Sequence, residues 1–124
     1  MKRSVLAALL GALFACIDSS GPGALLKINL TTPNSGADGA ILLAVGGPAP
    51  LMSVTPGEGL RLFAEPLAAT NYFALTGPLS AGTILIIGVA DADRASAYSA
   101  TIQQVATPAY QLRPLAGYSL RLSR

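Results

Sequence analysis

The carboxylates are the side chains of this sequence best suited to acid–base or metal chemistry. The 124 residues contain six Asp and Glu, no His and a single Cys. Without His, the Ser–His–Asp and Cys–His arrangements that activate a nucleophile cannot form. A Ser–Lys arrangement would depend on Lys27, which falls in a predicted strand. Function classes that need a histidine base or a histidine metal ligand are therefore excluded.

A catalytic carboxylate pair would have to come from Glu58, Glu65, Asp91 and Asp93. Glycosidases hold two such groups at a set separation, but each of these acids stands beside turn-forming residues, where acids are ordinarily solvated. The segment 57–59 lacks the third glycine of a dinucleotide-binding loop and is predicted as a turn. The sequence thus predicts a protein that is not an enzyme and uses no cofactor.

Asp91 and Asp93 are the best candidates for metal ligands. Alternate carboxylates in a loop can both face one Ca²⁺ ion, which takes roughly six to eight oxygen ligands. Two acids are too few unless Asp38 or backbone carbonyls join them, and Arg94 offers a competing partner. The more ordinary interpretation of this segment is a solvated turn with local ion pairing.

Aromatic side chains are the candidates for ligand binding. Carbohydrate sites ordinarily use exposed aromatic rings, and the chain has four Tyr and three Phe but no Trp. Most of these residues fall in strand patterns, whereas Tyr110 follows Pro108 and is the one we expect to be exposed. The more ordinary interpretation of Tyr110 is that it packs against a loop and binds no ligand. A protein or a glycan partner is therefore left open.

The first fifteen residues have the pattern of a secretory signal peptide. A basic start, Met1–Arg3, precedes an apolar run over Val5–Phe14. This run is shorter than the ~20 residues that a membrane-spanning helix needs. A basic segment followed by a short apolar one is typical of a signal peptide, so we expect a signal helix over residues 1–15.

Leu13, Ala15 and Cys16 stand at the end of that apolar segment, and Phe14 between them is bulkier than usual for the motif. This segment resembles the lipobox of bacterial lipoproteins. The resemblance implies cleavage before Cys16, a diacylglyceryl group on its thiol and acylation of the new amino terminus. With Ile17 rather than Asp after the Cys, it also favours the outer membrane of a Gram-negative cell envelope. The alternative is that Cys16 is an ordinary apolar residue.

Cleavage before Cys16 would leave a chain without excess charge. Removing residues 1–15 takes away Lys2 and Arg3 and leaves six basic and six acidic side chains. The small residues Ser19–Gly23 predict a flexible tether, so residues 16–24 hold the lipid and residues 25–124 form one domain. The remaining basic residues are scattered, and we therefore predict no nucleic-acid partner.

The domain must be built from strands. Apolar and polar residues alternate over 26–31, a continuous apolar run occupies 40–45, and the segment 83–89 is the strongest strand pattern of the chain. A continuous run predicts a strand covered on both faces, and Gly77–Pro78 is predicted to end the strand over 71–76. One helical turn is expected near 91–95. About seven to nine strands separated by turns indicate an all-β, antiparallel β-sandwich, Greek-key or jelly-roll like.

Leu112, Pro114 and Tyr118 precede the last alternating segment. This spacing resembles the tyrosine corner of fibronectin type III domains, which implies a buried ring and a hydroxyl bonded to the backbone. More diffusely, the segment 39–43 and the order of strands resemble cohesin-like secreted bacterial sandwich modules.

Together these features predict a small lipid-anchored β-sandwich of the cell envelope that serves as a non-catalytic binding or structural module. One alternative is a subunit of a larger envelope assembly, in which the apolar runs 40–45 and 84–89 partly serve an interface. Another is a small hydrolase that uses its carboxylates.

Overall fold

The computed structural model describes residues 22–124, so the predicted signal peptide and Cys16 lie outside the described residues. Eight antiparallel strands form two four-stranded sheets that pack together, which confirms the predicted β-sandwich. The strands are β1 (Ala24–Thr31), β2 (Asp38–Gly46), β3 (Ser53–Pro56), β4 (Arg61–Ala64), β5 (Thr70–Leu79), β6 (Gly82–Val89), β7 (Ser99–Ala106) and β8 (Ser119–Ser123).

The strand pairing is nested around one hairpin. The first sheet has the order β3-β6-β1-β8 and the second sheet the order β4-β5-β2-β7. Strands β4 and β5 follow each other directly, and outside them β3 pairs with β6, β2 with β7, and β1 with β8. Each of the other connections changes sheets, so residues distant in sequence meet at both ends of the sandwich.

Alternation of side chains along the strands builds the core. In the first sheet, Ile28 of β1 lies opposite Leu85 of β6, and both are buried. In the second sheet, Leu43 of β2 lies opposite Phe73 of β5, and both are fully buried. Burying each such side chain contributes about 1.5–3 kcal/mol, which drives the two sheets together.

The strands β2 and β5 differ from their predicted form. Strand β2 buries Ile41, Leu43 and Val45, but its outward residues are only half-buried, so it is covered on its inner face alone. Strand β5 does not end at 77–78 but continues to Leu79. Gly77 adopts a φ of 126° and the register shifts opposite it, which admits a proline at an irregularity of the strand.

A six-residue 3₁₀ turn, Ala92–Ala97, joins β6 to β7 near the predicted helical turn. Within residues 22–124, no helix has the length and apolar character needed to cross a membrane.

The sandwich has two ends. At one end, which we call the Pro22 end, Ala24 pairs with Val89 and Gly46 pairs with Thr70. At the other, the Asp38 end, Asp38 pairs with Leu79. The Asp38 end carries the β1–β2, β3–β4, β5–β6 and β7–β8 loops, and the Pro22 end carries the remaining loops and the 3₁₀ turn.

Candidate functional site

A buried carboxylate organises the loops of the Asp38 end. Asp38 begins β2, is only 1% exposed, and accepts hydrogen bonds from the Thr32 hydroxyl at 2.6 Å and the Tyr118 hydroxyl at 2.8 Å. Arg113 Nε lies 2.7 Å from the same Asp38 oxygen that Tyr118 contacts. Asn34 Nδ2 in turn donates to the Tyr118 hydroxyl at 2.9 Å. We call these five residues the Asp38 cluster.

The geometry of the Asp38 cluster suits a structural role. Arg113 Nε is close to the carboxylate but does not form an aligned hydrogen bond, so the contact is mainly one of charge. Arg113 Nη2 donates separately to the carbonyl of Ala37 at 3.1 Å. The Asp38 side chain has no exposed surface. The carboxylate is therefore closed to a substrate and serves to join the β1–β2 loop to the β7–β8 loop.

Tyr118 corrects the expectation drawn from the tyrosine corner. Its hydroxyl bonds to the side chains of Asp38 and Asn34 rather than to the backbone. Leu112, the apolar residue of the matched motif, is 68% exposed and forms an isolated bridge with Ala106. The local sequence pattern placed Tyr118 next to the last strand. Nothing in the sequence indicated that its hydroxyl would donate to Asp38, which is 80 residues away.

A cleft of about 370 Å³ opens beside the Asp38 cluster. Gly39 lets the Pro108 backbone approach closely at one side of the cleft, because a Cβ on Gly39 would lie 2.5 Å from Pro108 Cα. The β1–β2 loop, the β7–β8 loop, the start of β2 and the end of β5 contribute to the cleft, which is lined by Gly36, Asp38, Gly39, Thr76, Gly77, Pro78, Pro108 and Tyr110.

Tyr110 stands at this cleft in a strained conformation. It is 79% exposed, as predicted, and it is the only non-glycine residue within 22–124 with a positive φ, at 63°. This left-handed conformation costs a residue with a side chain about 1–2 kcal/mol. Thr107 holds the turn, because its carbonyl accepts from Tyr110 N at 2.8 Å and its hydroxyl accepts from Gln111 N at 3.2 Å. The ring is thus presented to solvent from a fixed backbone.

Asp91 and Asp93 lie at the opposite end of the molecule. Asp91 caps the 3₁₀ turn by accepting from Asp93 N at 2.9 Å, and Asp93 is exposed. Asp38, which would have to join them as a third acid, lies at the other end of the sandwich. Among residues 22–124, no group of three or more His, Cys, Asp or Glu side chains is placed to hold a metal ion.

The remaining carboxylates are also dispersed. Glu58 lies exposed in the β3–β4 turn at the Asp38 end, and Glu65 lies exposed directly after β4. The fold therefore separates Glu58 from Asp91 and Asp93 by the length of the sandwich. Lys27 lies exposed on the outer face of the first sheet, opposite Ser123.

The outer face of the second sheet is a further surface, of which the sequence indicated only the part contributed by the apolar run 40–45. Phe63 and Tyr72 are 53% and 55% exposed. Register places Phe63 beside Ala74, and Ala74 beside Leu42, so one apolar row crosses three strands. Arg61 lies 5.7 Å from the centre of the Phe63 ring and brings a positive charge to this face.

No family model, no curated protein and no solved structure matches this chain. The function of the protein is therefore inferred from the geometry of the two ends and of the outer faces.

Proposed function

We propose that the chain is a small lipid-anchored protein of the bacterial cell envelope that acts as a non-catalytic binding module. In this proposal residues 1–15 are a signal peptide with an apolar helix, and Cys16 carries the lipid. Residues 16–24 tether the domain to the membrane. The lipobox-like segment ending at Cys16 supports the anchor, and Ile17 supports an outer-membrane address in a Gram-negative host.

The binding site in this proposal is the cleft beside Tyr110. The observation that carries it is the strained, 79% exposed Tyr110 at the end of the domain opposite Pro22. Strained residues persist where the surrounding structure holds them and cluster at ligand sites. A rigid aromatic ring offers a large contact area at a low cost in conformational entropy. A sugar is the ligand class that fits an exposed Tyr ring beside the Thr76 hydroxyl. The apolar face of a sugar ring stacks on the aromatic ring, while the sugar hydroxyls form hydrogen bonds.

We also assign the sandwich to the Greek-key or jelly-roll-like class. The nested pairing of β4 with β5, β3 with β6, β2 with β7, and β1 with β8 supports this assignment. In such a fold, loops from distant parts of the chain gather at one end, which is the arrangement a loop-built binding site requires.

The anchor is tested by the intact mass of the protein from the membrane fraction of its host. The expected mass is that of residues 16–124 plus acyl chains. A mass without acyl chains would overturn the anchor. A Cys16→Ala variant that still incorporates labelled fatty acid would overturn Cys16 as the attachment site.

The binding site is tested by nuclear magnetic resonance with oligosaccharides of glucose and of N-acetylglucosamine as probes. We expect amide shifts confined to residues 36–39, 76–78 and 107–111, and their loss in Tyr110→Gly. Glycine tolerates the positive φ, so this variant keeps its fold, and Tyr72→Ser is the matched control for an exposed tyrosine. Shifts that persist in Tyr110→Gly, or no shifts with any probe, would overturn the sugar site.

A second candidate function is that of a subunit in a larger envelope assembly. The apolar outer face of the second sheet, with Phe63, Tyr72 and Leu42, favours it, because exposed apolar patches mark interaction sites. The test is the mass of the purified protein in solution by light scattering. A stable complex that Phe63→Ser dissolves supports this function, and a monomer at every concentration argues against it.

A further inference from the structure

We propose that a small apolar surface at the Pro22 end, formed by Leu25 and Met52 on either side of Gly88, docks on the lipid bilayer. This inference rests on the proposed anchor at Cys16. We call it the Leu25–Met52 surface.

Both side chains of the Leu25–Met52 surface are exposed at one cleft. Leu25 is 63% exposed and Met52 is 67% exposed. Leu25 pairs with Gly88 across the first sheet, and Met52 N donates to the carbonyl of Gly88 at 2.8 Å. The two residues line a shallow cleft of about 540 Å³, whose lining is mainly apolar. The Ser53 hydroxyl lies over Gly88, where a Cβ would come within 2.3 Å of it, and is a polar group of this cleft.

The short segment between Cys16 and Pro22 limits how far the Pro22 end can lie from the bilayer, and it is the reason why we name the bilayer as the partner of this surface. The carbonyl of Pro22 accepts from Ala92 N at 2.9 Å, which attaches the start of the described chain to this end of the sandwich. Pro22 lies six residues after Cys16, and a fully extended chain of that length spans at most about 20 Å. A lipid on Cys16 therefore keeps the Pro22 end within about 20 Å of the bilayer, whereas the Asp38 end lies at the far end of the strands.

The charges of the Pro22 end favour an apolar contact over an electrostatic one. Asp91 and Asp93 stand beside Arg94, and Arg124 donates from Nη2 to the carbonyl of Ala92 at 3.1 Å. Opposite charges are thus mixed, and this end offers no run of basic residues for anionic headgroups. Docking through Leu25 and Met52 should therefore be similar on neutral and anionic bilayers and insensitive to salt.

A single tryptophan reports the docking, because the chain has none of its own. The full chain carrying Met52→Trp is purified from the membrane fraction and reconstituted in phosphatidylcholine vesicles with brominated acyl chains, which quench nearby tryptophan. We expect about a twofold loss of fluorescence relative to unbrominated vesicles. The matched control is Tyr110→Trp at the Asp38 end, which we expect to remain unquenched. Adding Leu25→Ser to Met52→Trp should restore most of the signal.

The outcomes separate docking from anchoring. If the mass shows acyl chains on Cys16 but Met52→Trp is unquenched, or is quenched no more than Tyr110→Trp, the docking surface is overturned and the anchor stands. If the mass shows no acyl chains, the anchor is overturned. In that case docking is tested with the unacylated chain and the same vesicles. Quenching of Met52→Trp but not of Tyr110→Trp supports docking, and no quenching of Met52→Trp overturns it.

Discussion

The two ends of the sandwich hold their loops in different ways. At the Pro22 end, separate contacts hold the loops, some within one loop and some between loops, such as the bond from the Tyr98 hydroxyl to the Ala49 carbonyl at 3.2 Å. Asn71 binds both the N–H and the carbonyl of Ala68, three residues away, and Asp91 caps the turn that begins beside it. At the Asp38 end, side chains from distant parts of the chain converge on one buried carboxylate. Asp38 contacts Tyr118, which is 80 residues away in the chain.

Because of this difference, we expect one substitution in the Asp38 cluster to destabilise all the loops that the cluster joins. Groups that share one buried carboxylate are energetically coupled, whereas contacts at separate places act independently. The coupled end is also the one that presents Tyr110 beside an open cleft. The Pro22 end presents the Leu25–Met52 surface, which needs no network to support two exposed apolar side chains.

The largest effect is expected from removing the buried carboxylate. Asp38→Ala leaves Arg113 without its counter-charge and two hydroxyls without their acceptor, and should lower the free energy of unfolding by about 3 kcal/mol. Urea denaturation measures this value. Glu58→Ala, which removes an exposed acid at the same end, should leave stability unchanged. Equal losses in the two variants would contradict the role of the Asp38 cluster.

Asn71→Ala tests the strongest local contact at the Pro22 end. The buried amide accepts from Ala68 N at 2.7 Å and donates to the Ala68 carbonyl at 2.6 Å. Its loss removes two hydrogen bonds and leaves the Ala68 N–H without this acceptor, while the Ala68 carbonyl still accepts from Leu51 N at 3.3 Å. The change should cost about 2 kcal/mol by urea denaturation. The cost should add to that of Asp38→Ala, since the two residues lie at opposite ends. Strong non-additivity would show that the ends are not independent.

Tyr118→Phe removes one hydroxyl from the Asp38 cluster and keeps the ring. We expect a loss of about 1 kcal/mol alone. In an Asp38→Ala background the same change should cost much less, with a coupling energy of more than about 0.5 kcal/mol. A full cycle of the two single variants and the double variant measures this coupling. An equal cost in both backgrounds would contradict the coupling that we expect at the Asp38 end.

The smallest effect is expected at the 3₁₀ turn. Asp91→Ala removes the cap and should cost about 0.5 kcal/mol, while Asp91→Asn, which keeps a side-chain acceptor, should restore it. Thermal unfolding with and without calcium chloride extends the test. A melting temperature that rises with calcium in the native chain but not in Asp91→Ala would instead favour Asp91 and Asp93 as metal ligands.

Local patterns in the sequence predicted most of the elements that position the site. The two-residue alternation of β1, the apolar run of β6 and the turn after Asp91 depend on neighbours within a few positions, and each was confirmed. The exposure of Tyr110 was also predicted. The continuation of β5 through Pro78 was not, because the register irregularity that admits a proline depends on pairing with β2.

By itself, the sequence determined the class of the fold, because short apolar runs divided by turn residues can bury their apolar faces only by forming sheets. It also excluded chemistry that depends on a histidine base or ligand, because the 124 residues contain no histidine. The tertiary structure alone decided that Asp38 is buried against Tyr118 and Arg113, that Leu25 and Met52 line one cleft beside Gly88, and that Tyr110 stands at an open cleft. These contacts join residues far apart in the chain, and strand order, which sets them, depends on which sheet each strand enters rather than on any local pattern.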